Sequence, residues 1–266
     1  MTAPAIDALP SSRPSSNWTG WGQWLALFTM TVDHLSRYVV PQAWELDWAG
    51  SSIGRIAFPL FAAMVAWHGL FNTRNPLRYA RRILVIGLVA QLPYMMMPRV
   101  FDGLILNICF TLAAGLAWGA GLRLLLERQR DGTLGTPWVV FAMVASLALW
   151  YLLGHWVEYG HRGLLLVPLY MLAMHHLQAG GDALLERLTA VAAALPVLLV
   201  CGLMNSSDLA KSFTVGTCLA VLLIAAGAGQ WLPRVAVRMP RRLWLAWYPG
   251  HFALIALWLW WVGGLG

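Results

Sequence analysis

The chain has 266 residues, of which 59% are hydrophobic and only 11% are charged, and its formal net charge at pH 7 is +7. Soluble domains contain about 25% charged residues, so this composition excludes an ordinary soluble enzyme and predicts an integral membrane protein. The arginines occupy short segments between apolar stretches, a distribution that indicates membrane orientation rather than nucleic-acid binding.

The chain begins with a short polar segment. Residues 1–17 are rich in Pro, Ser and Ala and lack the basic-then-apolar order of a signal peptide. We therefore expect a disordered cytoplasmic tail over 1–17 and a single membrane domain over 18–266. The cysteines Cys109, Cys201 and Cys218 lie in apolar stretches without the spacing of a metal site or a disulfide framework, so we expect buried free thiols and no metal.

Nine stretches of the sequence are long and apolar enough to cross a bilayer, because a helical span needs about 20 residues. Lipid offers the backbone no hydrogen bonds, so such spans form helices. The sequence predicts an all-α, polytopic transmembrane helical bundle with spans at 18–40, 53–71, 79–97, 104–126, 138–156, 161–177, 184–204, 212–230 and 243–263. The sixth stretch is short, so eight spans with one re-entrant segment remain the alternative.

Arginine-rich loops alternate with arginine-poor loops along the chain. The positive-inside rule places basic loops in the cytoplasm, so the amino terminus is predicted inside and the carboxyl terminus outside. The basic loops contain Arg74, Arg78, Arg81 and Arg82, then Arg123, Arg128 and Arg130, then Arg234, Arg238, Arg241 and Arg242. The alternate loops contain only Arg37, Arg99, Arg162 and Lys211.

Asp33 and His34 are ionisable residues inside the first predicted span. A central Asp costs roughly 2.5–3.5 kcal/mol on insertion scales, so such groups usually serve a function inside the bundle. Asp33 and His34 both reach Arg37 at helical spacing, whereas side chains at adjacent positions diverge by about 100°. The alternatives are a functional site at His34 and a self-neutralising Asp33–Arg37 pair with His34 as a bystander.

Arg55 begins the second span, next to residues that shape a helix. Gly54 permits close packing, and Pro59 leaves a backbone carbonyl without its usual partner. Arg55 either reaches outward to the lipid headgroups or faces a site, where it would pair with Asp33 across the bundle.

His251 lies near the middle of the last span, in YPGH (248–251), with Tyr248 on the same helix face. A single His in a membrane helix is often only a donor between helices. The neighbouring Pro-Gly pair distorts the backbone and favours a cavity instead. In the fourth span, Asn107 and Thr111 share a face, where polar contacts between helices are the simpler interpretation.

Several segments of the chain carry family-like motifs in a defined order. They are MTVDHLSR (30–37), GRIAFPLFAAMVAWHG (54–69) followed by NTRNPLRYARR (72–82), LNICFTLAAG (106–115), EYGHRG (158–163) and YPGH (248–251). Together they resemble the TraX family, the inner-membrane acetylases first known from conjugative pilin. The chain is also distantly similar to the wider group of transmembrane acyltransferases, although it lacks their basic residue about ten positions before a membrane His.

The resemblance implies an integral acyl-CoA-dependent N-acetyltransferase of the bacterial inner membrane. It would move an acetyl group from cytoplasmic acetyl-coenzyme A to an exported acceptor, in the best-known case the amino terminus of pilin. Another exported protein or an envelope glycan is the alternative acceptor. Lipid is the remaining partner, and neither nucleic acid nor a metal is implied.

The chemistry of amide formation assigns roles to the membrane residues. His34 is predicted to be the general base, or else a transient acetyl acceptor, because imidazole exchanges protons near neutral pH. Arg55 or Tyr248 would stabilise the oxyanion, and Asp33 and His251 complete the predicted catalytic set. The anionic co-substrate is expected at the basic inner face, with Arg74, Arg78, Arg81, Arg82 and Asn107 as its predicted ligands. Membrane orientation alone is the competing explanation of that arginine cluster.

Two rival functions use the same residues. A proton-coupled transporter or flippase would use Asp33, His34 and His251 as a relay, although the sequence shows no internal repeat of the kind common in transporters. A non-catalytic pilus-assembly protein would use the polar residues only to join helices. Coenzyme A binding separates the enzyme from both rivals.

Overall fold

The computed structural model of the protein describes residues 14–98, 103–181 and 183–263, and this part of the chain is a helical bundle without named strands. The predicted all-α fold is therefore confirmed. The helices are α1 (Asn17–Tyr38), α2 (Asp47–Ser51), α3 (Ala57–Trp67), α4 (Pro76–Met95), α5 (Ile108–Arg130), α6 (Thr136–Leu153), α7 (Gly160–Ala179), α8 (Leu184–Leu203), α9 (Asp208–Ala225) and α10 (Arg241–Trp261).

A long helical segment lies at each of the nine predicted spans, because α2 and α3 belong to one segment, Asp47–Asn72. Its α-helices are connected by a 3-10 turn, Ile53–Ile56, and it ends in a π turn, His68–Asn72. In the described part of the chain, six segments are long and apolar enough to cross a membrane: Asp47–Asn72, α5, α6, α8, α9 and α10. The protein is thus a multi-pass membrane protein, while the count of nine spans and the side of the amino terminus stay predictions.

The polar start of the chain falls largely outside the described residues, which begin at residue 14. Within them, α1 starts at Asn17, and Ser16 lies beside the π turn. The Ser16 hydroxyl accepts hydrogen bonds from Trp67 Nε1 at 2.8 Å and from Asn72 Nδ2 at 2.9 Å. The end of the predicted tail is therefore attached to the π turn. Arg99, one of the few basic residues of the alternate loops, also lies outside the described residues.

Helix α3 forms the centre of the bundle because its sequence, AFPLFAAMVAW, is apolar on every face. Every residue of α3 except Phe61 is buried. It packs against α1, α7 and α9, whereas α10 packs against α4 and α1. Helix α6 is peripheral, with only Val139 buried. The thiols of Cys109, Cys201 and Cys218 are free and buried, as predicted.

Two tryptophans of α1 hold the loop that precedes α10. Trp21 Nε1 donates to the carbonyl of Pro233 and Trp24 Nε1 donates to the carbonyl of Val237, each at 2.8 Å. These hydrogen bonds place Trp24 of α1 and the start of α10 at a similar depth. Ten further residues of either α1 or α10 rise about 15 Å, which is about half the thickness of a bilayer core. His34 and His251 lie ten residues beyond Trp24 and the first residue of α10, respectively, so the two helices bring them to the same depth.

The orientation of the bundle can be measured with reporter fusions. The alternation of basic loops predicts that a fusion at Gly132, between α5 and α6, reports the cytoplasm and that a fusion at Gly266 reports the outside. Gly266 lies outside the described residues but serves as the carboxyl-terminal attachment point. Reporter activity on one side for both fusions would contradict nine spans, since it requires an even number of crossings between these positions.

Candidate functional site

The two histidines predicted from separate spans meet inside the bundle. His34 Nδ1 and His251 Nε2 lie 2.7 Å apart, a hydrogen-bond distance, although the residues are 217 positions apart in sequence. Both residues are buried, and the ring of Phe252 lies 4.5 Å from that of His34. The pair is therefore shielded from bulk solvent.

A second hydrogen-bond contact holds the ring of His251 through Nδ1, the nitrogen that does not contact His34. His251 Nδ1 lies 2.8 Å from the carbonyl oxygen of Trp247, one turn earlier in the helix. The Trp247 indole donates to the hydroxyl of Thr31 on α1 at 3.0 Å. These contacts hold α10 against α1 beside the histidine pair.

Asp33 contacts its predicted partner Arg37 and also His34, both on α1. Its Oδ1 lies 3.2 Å from Arg37 Nη2, so the Asp33–Arg37 pair is formed. Its Oδ2 lies 3.8 Å from His34 Nε2, so the two neighbouring side chains converge instead of diverging as their spacing suggested. Helical spacing fixes the direction of Cα–Cβ bonds, but the longer side chains bend back toward each other. The self-neutralising pair and the histidine site are consequently one cluster.

Two glycines of the second helical segment let it approach Asp33. A Cβ atom at Gly54 would lie 2.6 Å from Asp33 Cβ, and a Cβ at Gly50 would lie 3.2 Å from Asp33 Oδ1. Real side chains do not pack at the first of these distances, so the 3-10 turn fits over Asp33 only because residue 54 is glycine. The same turn carries Arg55, whose buried Nε makes no hydrogen bond within the described residues.

A small cavity of about 30 Å³ lies beside this cluster, lined in part by Asp33, His34, Gly54 and Tyr248. This volume holds one or two water molecules. The Tyr248 hydroxyl is buried and has no hydrogen-bond partner in the described part of the chain. We name this space the outer cavity, since it lies toward the arginine-poor end of the bundle.

Sequence reasoning gave little weight to EYGHRG, yet its Glu158 and Tyr159 line the outer cavity. Tyr159 has a φ of 61°, an uncommon conformation for a residue other than glycine, and its ring stacks on Phe58 at 4.2 Å. The Glu158 backbone is held by Thr111, whose hydroxyl donates to its carbonyl at 2.7 Å. Backbone conformations of this kind concentrate at functional sites. In the sequence, this segment was marked only by its place among the family-like motifs.

Asn107 lies apart from the arginines with which it was grouped. It is fully buried at the start of α5, and its Nδ2 donates to Gly87 O and Gln91 Oε1 at 2.8 Å each. Its Oδ1 accepts from the backbone of Cys109, which caps the helix. Gln91 lies 13 residues along α4 from Arg78, about 20 Å at the rise of a helix. The amide joins α4 to α5, and its predicted contact with the co-substrate gains no support from this position.

A second cavity of about 430 Å³ opens at the arginine-rich end, and we name it the inner cavity. Arg74 and Arg123 line it together with Asn75, whose side chain caps the amino terminus of α4. Arg123 Nε also pairs with Glu127 at 2.7 Å. Of the four predicted arginine ligands, only Arg74 lines the inner cavity; the other three, Arg78, Arg81 and Arg82, lie within α4 and are not among its lining residues. Arg123 had been assigned to membrane orientation alone.

Among the described residues, no group of three metal-ligating side chains converges. In comparisons with known proteins, the family model described as "TraX protein" matches residues 22–259. No curated protein and no solved structure matches the chain. The matched range runs from α1 to α10 and includes every residue of both cavities.

Proposed function

The chain belongs to the TraX family, and from this premise we propose that it is an integral-membrane N-acetyltransferase. The donor would be acetyl-coenzyme A at the inner cavity. The acceptor would be an exported amine, with the amino terminus of pilin as the first candidate. The bacterial inner membrane is the location that fits this exchange between a cytoplasmic donor and an exported acceptor.

The observation that carries the proposal is the buried His34, which is hydrogen-bonded to His251 and borders the outer cavity beside Asp33. Formation of an amide from a thioester requires a base for the amine proton. An imidazole within reach of a carboxylate meets this need, because the carboxylate stabilises the imidazolium that forms.

The reaction balances with the groups at hand. The amine nitrogen attacks the thioester carbonyl carbon while His34 Nε2 takes its proton. The tetrahedral intermediate then expels the coenzyme A thiolate as the carbon–sulfur bond breaks. The imidazolium returns the proton to the thiolate, so the products are the acetylated amine and coenzyme A. The unpartnered Tyr248 hydroxyl at the outer cavity is a donor available to the oxyanion.

Arg55 is the second candidate for the oxyanion. Its Nε is buried without a hydrogen-bond partner among the described residues, one residue from the cavity-lining Gly54. A buried donor left without a partner costs free energy, so a substrate oxygen that accepts from it would offset that cost. Tyr248 lines the outer cavity, whereas Arg55 follows the lining residue Gly54 without lining the cavity itself, so Tyr248 is the better-placed donor for developing negative charge.

In acetyl-coenzyme A a long flexible arm joins the anionic end to the acetyl group. Arg74, Arg123 and the capped start of α4 present positive charge at the inner cavity. Phe58 at the outer cavity and Leu70 at the inner cavity are separated by twelve residues of one helical segment, about 18 Å. We propose that the phosphates bind at the inner cavity and that the acetylated arm extends along α3 toward His34.

Binding of acetyl-coenzyme A to the purified protein tests this proposal. Arg74→Ala is expected to weaken binding about 10- to 100-fold, because one charge-assisted hydrogen bond contributes about 1.5–3 kcal/mol. Calorimetric titration in detergent measures the dissociation constants. The matched control replaces Arg78, Arg81 and Arg82 by alanine together; the inner-cavity assignment predicts a smaller loss for these three exposed residues than for Arg74 alone. No binding by the wild-type protein would contradict the enzyme and favour a transporter or an assembly protein.

A further inference from the structure

The contacts of His251 determine where its proton lies. A backbone carbonyl only accepts hydrogen bonds, so the 2.8 Å contact between His251 Nδ1 and the Trp247 oxygen requires a hydrogen on Nδ1. In a neutral imidazole the other ring nitrogen then carries the lone pair. His251 Nε2 is therefore a hydrogen-bond acceptor.

The same reasoning extends to His34. Its Nδ1 lies 2.7 Å from the acceptor His251 Nε2, so Nδ1 of His34 must be the donor. Neutral His34 then keeps its lone pair on Nε2. That nitrogen is 3.8 Å from Asp33 Oδ2, and both residues border the outer cavity.

We infer that His251 is a positioning residue, which holds His34 in the tautomer with a protonated Nδ1 and an unprotonated Nε2 at the outer cavity. The inference rests on the proposed function, because it explains why His34 is available as a base. The order of hydrogen bonds is Trp247 carbonyl, His251, His34 and then the substrate amine. Of the histidine nitrogens in this series, Asp33 contacts His34 Nε2.

The opposite arrangement would require a positive charge in an apolar environment. If His34 Nδ1 were the acceptor, His251 would need hydrogens on both ring nitrogens and would be an imidazolium. His251 is 5% exposed, and an isolated charge in such a place is strongly disfavoured. The carboxylate of Asp33 contacts His34, so a positive charge is better placed on His34, as it is after proton transfer.

Nitrogen NMR of the purified protein labelled with ¹⁵N-histidine tests the tautomer directly, because protonated and unprotonated ring nitrogens resonate far apart. The chain has seven histidines, and the His34 signals are those lost in a His34→Gln sample. The inference predicts a protonated Nδ1 and an unprotonated Nε2 for His34 near pH 8. A protonated Nε2, in either a neutral or a charged ring, would overturn it. This measurement does not depend on activity, so it stands even if the proposed acetyl transfer fails.

Kinetics of two His251 variants distinguish positioning from mere packing. His251→Leu removes the acceptor for His34 and is expected to lower kcat by about 10²–10⁴-fold, the scale of a wrong tautomer in a hydrolytic triad, with little change in KM for acetyl-coenzyme A. The glutamine side chain has both an acceptor and a donor. His251→Gln is therefore expected to have a kcat at least tenfold higher than that of His251→Leu and to show the wild-type His34 signals. His176→Leu, on the half-buried end of α7, serves as a control and is expected to change neither measurement. A glutamine variant as inactive as the leucine variant, with unaltered His34 signals in both, would overturn the inference.

Discussion

Replacement of His34 by alanine is expected to lower acetyl transfer by about 10²–10⁴-fold, the usual contribution of a general base. The residue is buried beside Asp33 and His251, and of these two imidazoles only His34 is among the residues that line the outer cavity. The measurement is the initial rate of acetyl transfer by purified, folded protein. Binding of acetyl-coenzyme A at the inner cavity should remain, because the two cavities are separated by about 18 Å of helix.

The control for this experiment is His176→Ala, because this half-buried histidine near the carboxyl end of α7 lines neither cavity. It is expected to retain the wild-type rate. A His34→Ala protein that transfers acetyl groups at a near-normal rate would remove His34 from the mechanism and leave His251 as the remaining imidazole of the site. An acetylated His34 trapped during turnover would instead favour the covalent route over direct transfer.

The second large effect is expected at Gly54, where the 3-10 turn covers Asp33. A methyl group at this position would lie 2.6 Å from Asp33 Cβ and 2.8 Å from its carboxyl carbon. Gly54→Ala should therefore destabilise the protein by about 1–3 kcal/mol, the usual cost of overpacking, and should displace Asp33 from His34. We expect a lower thermal unfolding temperature in detergent together with a loss of transfer activity.

Gly121→Ala on α5 is the matched control, because no atom of the described residues beyond the surrounding helix turns lies within 4 Å of a Cβ placed there. Alanine favours a helix over glycine by about 1 kcal/mol, so this variant should be as stable as the wild type or slightly more stable. If both variants behaved alike, the close packing of the turn over Asp33 would be refuted.

The positions of the helices could be predicted from the sequence because bilayer thickness sets the length of apolar stretches. The predicted spans 18–40 and 184–204 correspond closely to Asn17–Tyr38 and Leu184–Leu203. Helix α9 departs from its predicted span, 212–230, because its ends are set by local chemistry. Ser207 caps it by accepting from the Ala210 backbone, and Gly227, with a φ of 124°, follows its end.

The contacts within the site could be predicted only in part. The sequence identified Asp33, His34 and His251 as polar groups inside apolar spans, and Arg55 and Tyr248 from their sequence neighbours. The structure brings Asp33, His34, His251 and Tyr248 to one place. Helical periodicity gives the face of a residue but not the helix opposite, so the His34–His251 contact could not be derived. The same limit placed Asn107 with the inner arginines, although its fully bonded amide joins α4 to α5.

The inner cavity illustrates a second limit of sequence reasoning. A cluster of arginines marks the cytoplasmic end of a span, whether or not any of them binds a ligand. Only the packing of α4 against α5 and the π turn before Arg74 show that Arg74 and Arg123 face a common space. Charge alone therefore indicated an end of the bundle but did not separate Arg74, which lines the inner cavity, from Arg78, Arg81 and Arg82, which do not.

Acetyl transfer in vesicles decides whether the protein moves an acetyl group from a donor on one side of the membrane to an amine on the other. Purified protein is reconstituted, radiolabelled acetyl-coenzyme A is supplied only on the side of the arginine-rich loops, and a peptide with a free amino terminus is supplied only on the opposite side. The account predicts label on that peptide, none on the same peptide with a formylated amino terminus, and none with His34→Ala protein. Two results would contradict acetyl transfer by His34: a peptide that acquires no label with the folded wild-type protein, or a peptide that acquires as much label with the His34→Ala protein as with the wild type.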